Sequence, residues 1–106
     1  MDEDENWTRV AAVDDVPEGE PVPVQIGDRQ LALYRIGDEW FCTDNVCTHA
    51  FALLSDGWLE GHVIECPLHN GQFDIRTGRG LCAPIAEDLQ IFPVRVDGDD
   101  LLVALP

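Results

Sequence analysis

Lysine is absent from these 106 residues, and six arginines face twenty-one aspartates and glutamates, for a formal net charge of −15. Such a surface repels phosphate backbones and anionic headgroups, which excludes nucleic acid and a bare membrane and favours a basic protein partner. Also missing is any apolar run of the roughly 18 residues that a bilayer-spanning helix needs. Residues Met1 to Asn6 are acidic where a secretory leader starts positive and then turns apolar. A soluble, cytoplasmic protein is expected. Disulfides are rare in that compartment. Four cysteines beside three histidines therefore point to metal before they point to bridges.

No window of helical length carries a 3.6-residue apolar period. Short alternating runs dominate instead: Thr8 to Val13, Val22 to Ile26, Gln30 to Ile36, Glu39 to Thr43, Leu89 to Val96 and Leu101 to Leu105. Gly27-Asp28, Gly37-Asp38 and Asp97-Gly98-Asp99-Asp100 separate several of them, and Gly-Asp pairs between β-rich runs signal hairpins. The expected class is all-β, a small antiparallel sandwich or barrel forming one domain over residues 1–106, with residues 1–6 as a flexible acidic tail. From about residue 44 to 84 the rhythm breaks into glycine-rich loops with short strands such as His62 to Glu65 and Gln72 to Ile75. A loop-rich stretch this long inside a small domain is usually functional. It holds three of the four cysteines and all three histidines.

Cys47-Thr48-His49 gives C-x-H, and Cys66-Pro67-Leu68-His69 gives C-x-x-H, with sixteen residues between His49 and Cys66. Each half offers one thiolate and one imidazole within a tight turn, so two such loops can close over one metal centre. A structural Cys2His2 zinc site is one outcome. Zinc knuckles, however, pair two cysteines on one turn and two histidines on a helix, and here each loop mixes the two. The other outcome is a 2Fe–2S cluster with two cysteines on one iron and two histidines on the other.

C-x-H, a 16-residue spacer and C-x-x-H together resemble the Rieske iron–sulfur signature. Thr43 to His49, Leu54-Ser55-Asp56-Gly57, Leu59-Glu60-Gly61, Glu65 to His69, Gly71-Gln72-Phe73-Asp74, Thr77-Gly78 and Leu81 to Pro84 extend the resemblance over most of the chain. They read like the small Rieske-type ferredoxins of bacterial aromatic-ring dioxygenase systems, the naphthalene and biphenyl types among them. The resemblance implies a Rieske fold with residues of about 44–84 as the cluster-binding subdomain. It implies Cys47 and Cys66 on the inner iron, and His49 and His69 on the outer one. It further implies a one-electron carrier, not an enzyme, between an NAD(P)H-dependent flavin reductase and a terminal Rieske non-haem iron oxygenase of aromatic hydrocarbon catabolism. A monomer is expected.

High-potential Rieske proteins of the cytochrome bc type brace their loops with a disulfide and place serine and tyrosine hydroxyls against the cluster sulfurs. The matching positions here hold Ala52 and Leu68 for the bridge, and Gly71 and Phe73 for the hydroxyls. Hydrogen bonds to sulfur favour the reduced state, so losing both donors predicts a potential near about −150 mV rather than +300 mV. That suits electrons arriving from a flavin.

Other residues receive plainer expectations. His62 is read as a surface or strand-edge residue, and Cys42 and Cys82 as packed free thiols, a disulfide between them being disfavoured by compartment. Trp7, Trp40 and Trp58 are read as core or lid. Arg76 and Arg79 form either a small positive spot or a solvated turn. Ala50, Phe51, Pro67, Leu68 and Pro84 would surround the imidazoles with an apolar tip that docks partners briefly. No second set of two histidines and a carboxylate exists for a mononuclear iron, which argues against an oxygenase subunit. Met1 and a last strand reaching Leu105 argue in the same direction, against a fragment. The rival readings are the small Rieske-like subunit of a nitrite reductase and a zinc-stabilised interaction module. The oxidised cluster with its two thiolates is formally neutral, so the charge stays near −15 and reduction makes it more negative. High salt should then slow delivery to a basic docking site.

Overall fold

Ten short strands build the chain in the computed structural model, which describes residues 6–48, 52–68, 71–81 and 87–105. They are β1 (Asn6–Ala12), β2 (Val22–Ile26), β3 (Arg29–Ile36), β4 (Glu39–Asp44), β5 (Trp58–Glu60), β6 (Val63–Glu65), β7 (Gln72–Asp74), β8 (Ile91–Phe92), β9 (Val94–Asp97) and β10 (Asp100–Leu105). They form three antiparallel sheets, ordered β1-β10-β9, β2-β3-β4-β8 and β5-β6-β7. Only 3₁₀ turns, Val13–Asp15 and Leu54–Asp56, supply helical geometry among the described residues. The all-β expectation holds.

Glycine sets the tight turns. Gly27, Gly37, Gly61 and Gly98 each open a two-residue connection at φ near +60°, a left-handed conformation that other residues rarely adopt. Asn6 already pairs with Leu105, so β1 begins inside the segment expected to be a tail. The single run expected over Leu89 to Val96 is also corrected. Pro93 has no N–H to donate, and the chain changes sheets there, β8 adding to β4 and β9 to β10.

The central strand β3 is buried on both faces over Leu31, Ala32, Leu33 and Tyr34. Side chains alternate across a strand, so this one run feeds two cores. Leu31 and Leu33 enter a scaffold core with Ala11, Val16, Cys42, Phe92, Leu101 and Val103. Ala32 and Tyr34 enter a second core with Cys47, Leu54, Ile64, Cys66, Phe73, Ile75 and Leu89. Both candidate ligand cysteines lie in the second. The strand that anchors the sandwich thus also floors the loops.

Candidate metal centre

Both cysteines sit at the mouth of a hairpin, and the two hairpins are built alike. In the first, Leu54 donates its amide to the Asn45 carbonyl (2.8 Å), Val46 bridges Leu53, and Cys47 N–H reaches the Ala52 carbonyl (3.0 Å). In the second, Glu65 pairs with Gln72 and Cys66 N–H reaches the Gly71 carbonyl (2.7 Å). Four residues span each loop beyond the cysteine, 48–51 and 67–70. Each cysteine is therefore the last residue held by a backbone ladder before the chain opens. That geometry is local, and it fixes two thiols at matched positions.

The Cys47 and Cys66 side chains are buried and close enough to hydrogen-bond to each other. Burial pushes the Cys66 thiol up to about 11; the Leu68 amide, bonded to its sulfur, pulls it partly back, and the neighbouring Cys47 raises it again. In an apolar core the Cys66 thiol resists ionising on its own. An iron centre reverses that balance, because a cation replaces the protons and thiolate is its preferred donor. The residues present fit the cysteine half of a 2Fe–2S site. His49 and His69, the other two expected ligands, lie outside the described residues, as do Cys82 and the tip residues Ala50, Phe51 and Pro84.

Side chains tie the site to its frame. Asn45 is fully buried; its Nδ2 donates to Ser55 Oγ (2.9 Å) and its Oδ1 accepts from Ser55 N–H (2.8 Å). Thr48 Oγ1 donates to the Glu87 carbonyl (3.0 Å), joining the first loop to the segment before β8. Gln72 Nε2 donates to Glu65 Oε1 (3.0 Å) beneath the second. Sequence reasoning missed the Asn45–Ser55 clamp, because only the hairpin register brings residues ten apart face to face.

Gly71 offers no side chain, and Phe73 is fully buried in the core that contains both cysteines. The single tyrosine, Tyr34, shares that core, but its hydroxyl pairs with Thr43 Oγ1 at 2.9 Å. Burial holds its pKa well above the usual phenol range. The Leu68 backbone amide remains as a donor to Cys66 sulfur.

Other residues fall where their chemistry puts them. His62 occupies the β5–β6 turn, its Nε2 3.5 Å from Glu39 Oε1 and its ring edge-on to Phe41. Cys42 is a buried free thiol of the scaffold core. Trp40 packs partly buried against that core, whereas Trp58 is 60 % exposed and belongs to no core. Arg76 is spent on Asp74, with Nη2 2.8 Å from Oδ2, so the turn-solvating alternative describes it better than a free positive spot. That guanidinium holds the Asp74 carboxyl below the usual carboxylate range.

Two buried thiols presented by twin hairpins over a shared core are the donor set of a thiolate-ligated metal site. The chain belongs to the Rieske 2Fe-2S domain family, whose model matches residues 6–93. The cofactor of that family is a Rieske-type 2Fe–2S cluster. A "Naphthalene 1,2-dioxygenase system, ferredoxin component" from Pseudomonas aeruginosa is 45 % identical over 101 residues, 95 % of this chain and 97 % of that protein. Among solved structures, the Sphingomonas yanoikuyae B1 ferredoxin superposes with a TM-score of 0.90 at 39 % identity, covering 95 % of this chain and 100 % of that one. The ferredoxin-like match within a complex of reduced oxygenase and oxidized ferredoxin in carbazole 1,9a-dioxygenase has a TM-score of 0.85 at 40 % identity, covering 92 % of each chain.

Proposed function

We propose that this chain is the ferredoxin of an aromatic-ring dioxygenase system, one Rieske domain over residues 1–106 with about 44–84 as its cluster-binding part. Cys47 and Cys66 would hold the inner iron, and His49 and His69 the outer one. When bound, the cluster supplies a one-electron couple. One electron arrives from an NAD(P)H-dependent flavin reductase and one leaves to a terminal oxygenase, with no bond made or broken. The chain's part is to hold the thiolates rigidly, exclude water from the cysteine side, and offer no side-chain hydroxyl at positions 71 and 73.

The observation that carries this reading is the matched pair of buried cysteines, each bonded through its amide at a hairpin mouth. A complex of oxygenase with a similar ferredoxin supports the oxygenase as acceptor. The same reading makes it a cytoplasmic monomer working between two other proteins; among the described residues no helix is long and apolar enough to cross a membrane.

Purified protein tests it. Two iron and two sulfide per chain, a rhombic EPR signal only after reduction, and a midpoint near about −150 mV are expected. One zinc in a colourless protein would overturn the cluster. A midpoint well above zero would overturn the argument from positions 71 and 73.

A further inference from the structure

The second hairpin is flanked on both sides. Leu81 donates its amide to the Gln72 carbonyl (2.9 Å) and Phe73 bridges Gly80, so Leu81 falls opposite Gln72. Trp58 falls opposite Glu65, and Glu65 opposite Gln72. The row next to the Cys66 loop therefore reads Trp58, Glu65, Gln72, Leu81. Leu59, Ile64 and Phe73 take the inner face of these strands, so by alternation this row faces outward. At about 4.8 Å per strand it is roughly 14 Å wide.

Its middle is closed by the Gln72–Glu65 hydrogen bond, and its ends are open. Trp58 is 60 % exposed and Leu81 44 %, as is Leu68 in the loop above. Half of the six exposed large hydrophobics among the described residues thus border one loop. Gly57 explains how Trp58 comes so near: a Cβ there would overlap the Glu65 carbonyl, so only glycine lets β5 start this close to β6. Beside Trp58 lies a groove of about 460 Å³, walled on its far side by Glu20 and Pro21. Glu20, Asp56 and Glu60 are exposed around it, and residues 18–22 and 54–60 contain no arginine. Arg35, whose carbonyl bonds Gly19, turns its guanidinium to the Trp40 ring and the Gly37 carbonyl.

An exposed indole among carboxylates is the chemistry that takes up a guanidinium, which stacks on the ring while its N–H groups meet the acids. We propose that this outward row, anchored by Trp58, docks an arginine-bearing surface of the terminal oxygenase, so that the carrier meets its acceptor on the β5 side. The inference rests on the carrier reading above. Charge selects the occupant. The carrier meets its donor oxidised and its acceptor reduced, with one more negative charge, so cations on the acceptor favour the productive encounter.

The test is turnover of the partner terminal oxygenase, with holoprotein as wild type, Trp58→Ala and Trp58→Phe. The KM for the carrier is expected to rise about tenfold in Trp58→Ala and to recover largely in Trp58→Phe. The visible spectrum, the midpoint and the rate of reduction by the reductase should match wild type. An unchanged KM overturns the proposal. So does an equal loss in the reductase arm, which would assign Trp58 to a contact shared by both partners. Failure of the carrier reading looks different: no 2Fe–2S spectrum, or no transfer by the wild type.

Discussion

The scaffold core and the core beneath the loops share β3 as a common wall, yet they are held by different means. The scaffold core is enclosed by strands of up to eight residues, β1 paired with β10 and β3 with β2 and β4, and is lined by leucine, valine and phenylalanine. The loop-side core is roofed by three-residue strands and includes two thiols. Its outer ties are single side chains, such as Asn45 to Ser55 and Thr48 to the Glu87 carbonyl. Long ladders make the first self-sufficient. The second lacks them, and the two iron–thiolate bonds of the proposed site would cross-link its hairpins where backbone pairing stops.

Breaking the proposed cross-link should separate the two cores most sharply. Cys66→Ser is expected to abolish the visible spectrum and the iron content, while far-UV circular dichroism retains its β signal and amide protons of β3 and β10 stay protected. Equal loss of protection in both cores would mean that the scaffold also depends on the cluster. Chelating the iron from wild-type protein should give the same split.

Truncations rank next. Phe73→Ala leaves a large hole under both cysteines and should cost about 4 kcal/mol, whereas Leu33→Ala, on the scaffold side, should cost about 3 kcal/mol. Their spectra should differ more than their stabilities. The cluster bands of Phe73→Ala are expected to shift, and those of Leu33→Ala to stay unchanged while the protein is folded. Identical spectra would show that β3 insulates less than its double burial suggests. Asn45→Ala removes both bonds to Ser55 and should cost about 2 kcal/mol in chemical unfolding. The loss should appear first as faster iron release.

The smallest effect concerns pH. Burial pushes the Cys42 thiol from 9.0 up to about 12, with the Asp44 carboxylate adding to it. Between those values only the unfolded chain sheds the proton, so the contribution of Cys42 is intact below pH 9 and is lost as pH rises towards 12. Melting temperatures of the holoprotein should fall more steeply above pH 9 in wild type than in Cys42→Val. Parallel slopes would remove Cys42 from the scaffold's alkaline weakness.

Much of the scaffold was legible because its signals are local. Alternation marked β2 and β10 within a residue or so, and the Gly-Asp pairs marked the turns at 27, 37 and 98. β5 and the break at Pro93 were not marked. Three residues are too few to show a period, and which sheet a strand joins depends on partners far along the chain. The two cysteines were legible as a pair from spacing alone. Their facing thiols, the Asn45 clamp and the Trp58–Glu65–Gln72–Leu81 row were not, because each joins residues from different hairpins.

The sequence by itself determined the class of fold, the two cysteine–histidine loops, the absence of hydroxyls at 71 and 73, and the charge of −15. These follow from residue type and near-neighbour spacing, which folding does not change. Tertiary structure alone decided that β3 serves two cores, that Arg76 is spent on Asp74, and that Trp58 stands exposed beside the Cys66 loop. Each of these depends on which strand lies next to which. That is settled by burying apolar surface across the whole chain, a balance no short stretch of sequence contains.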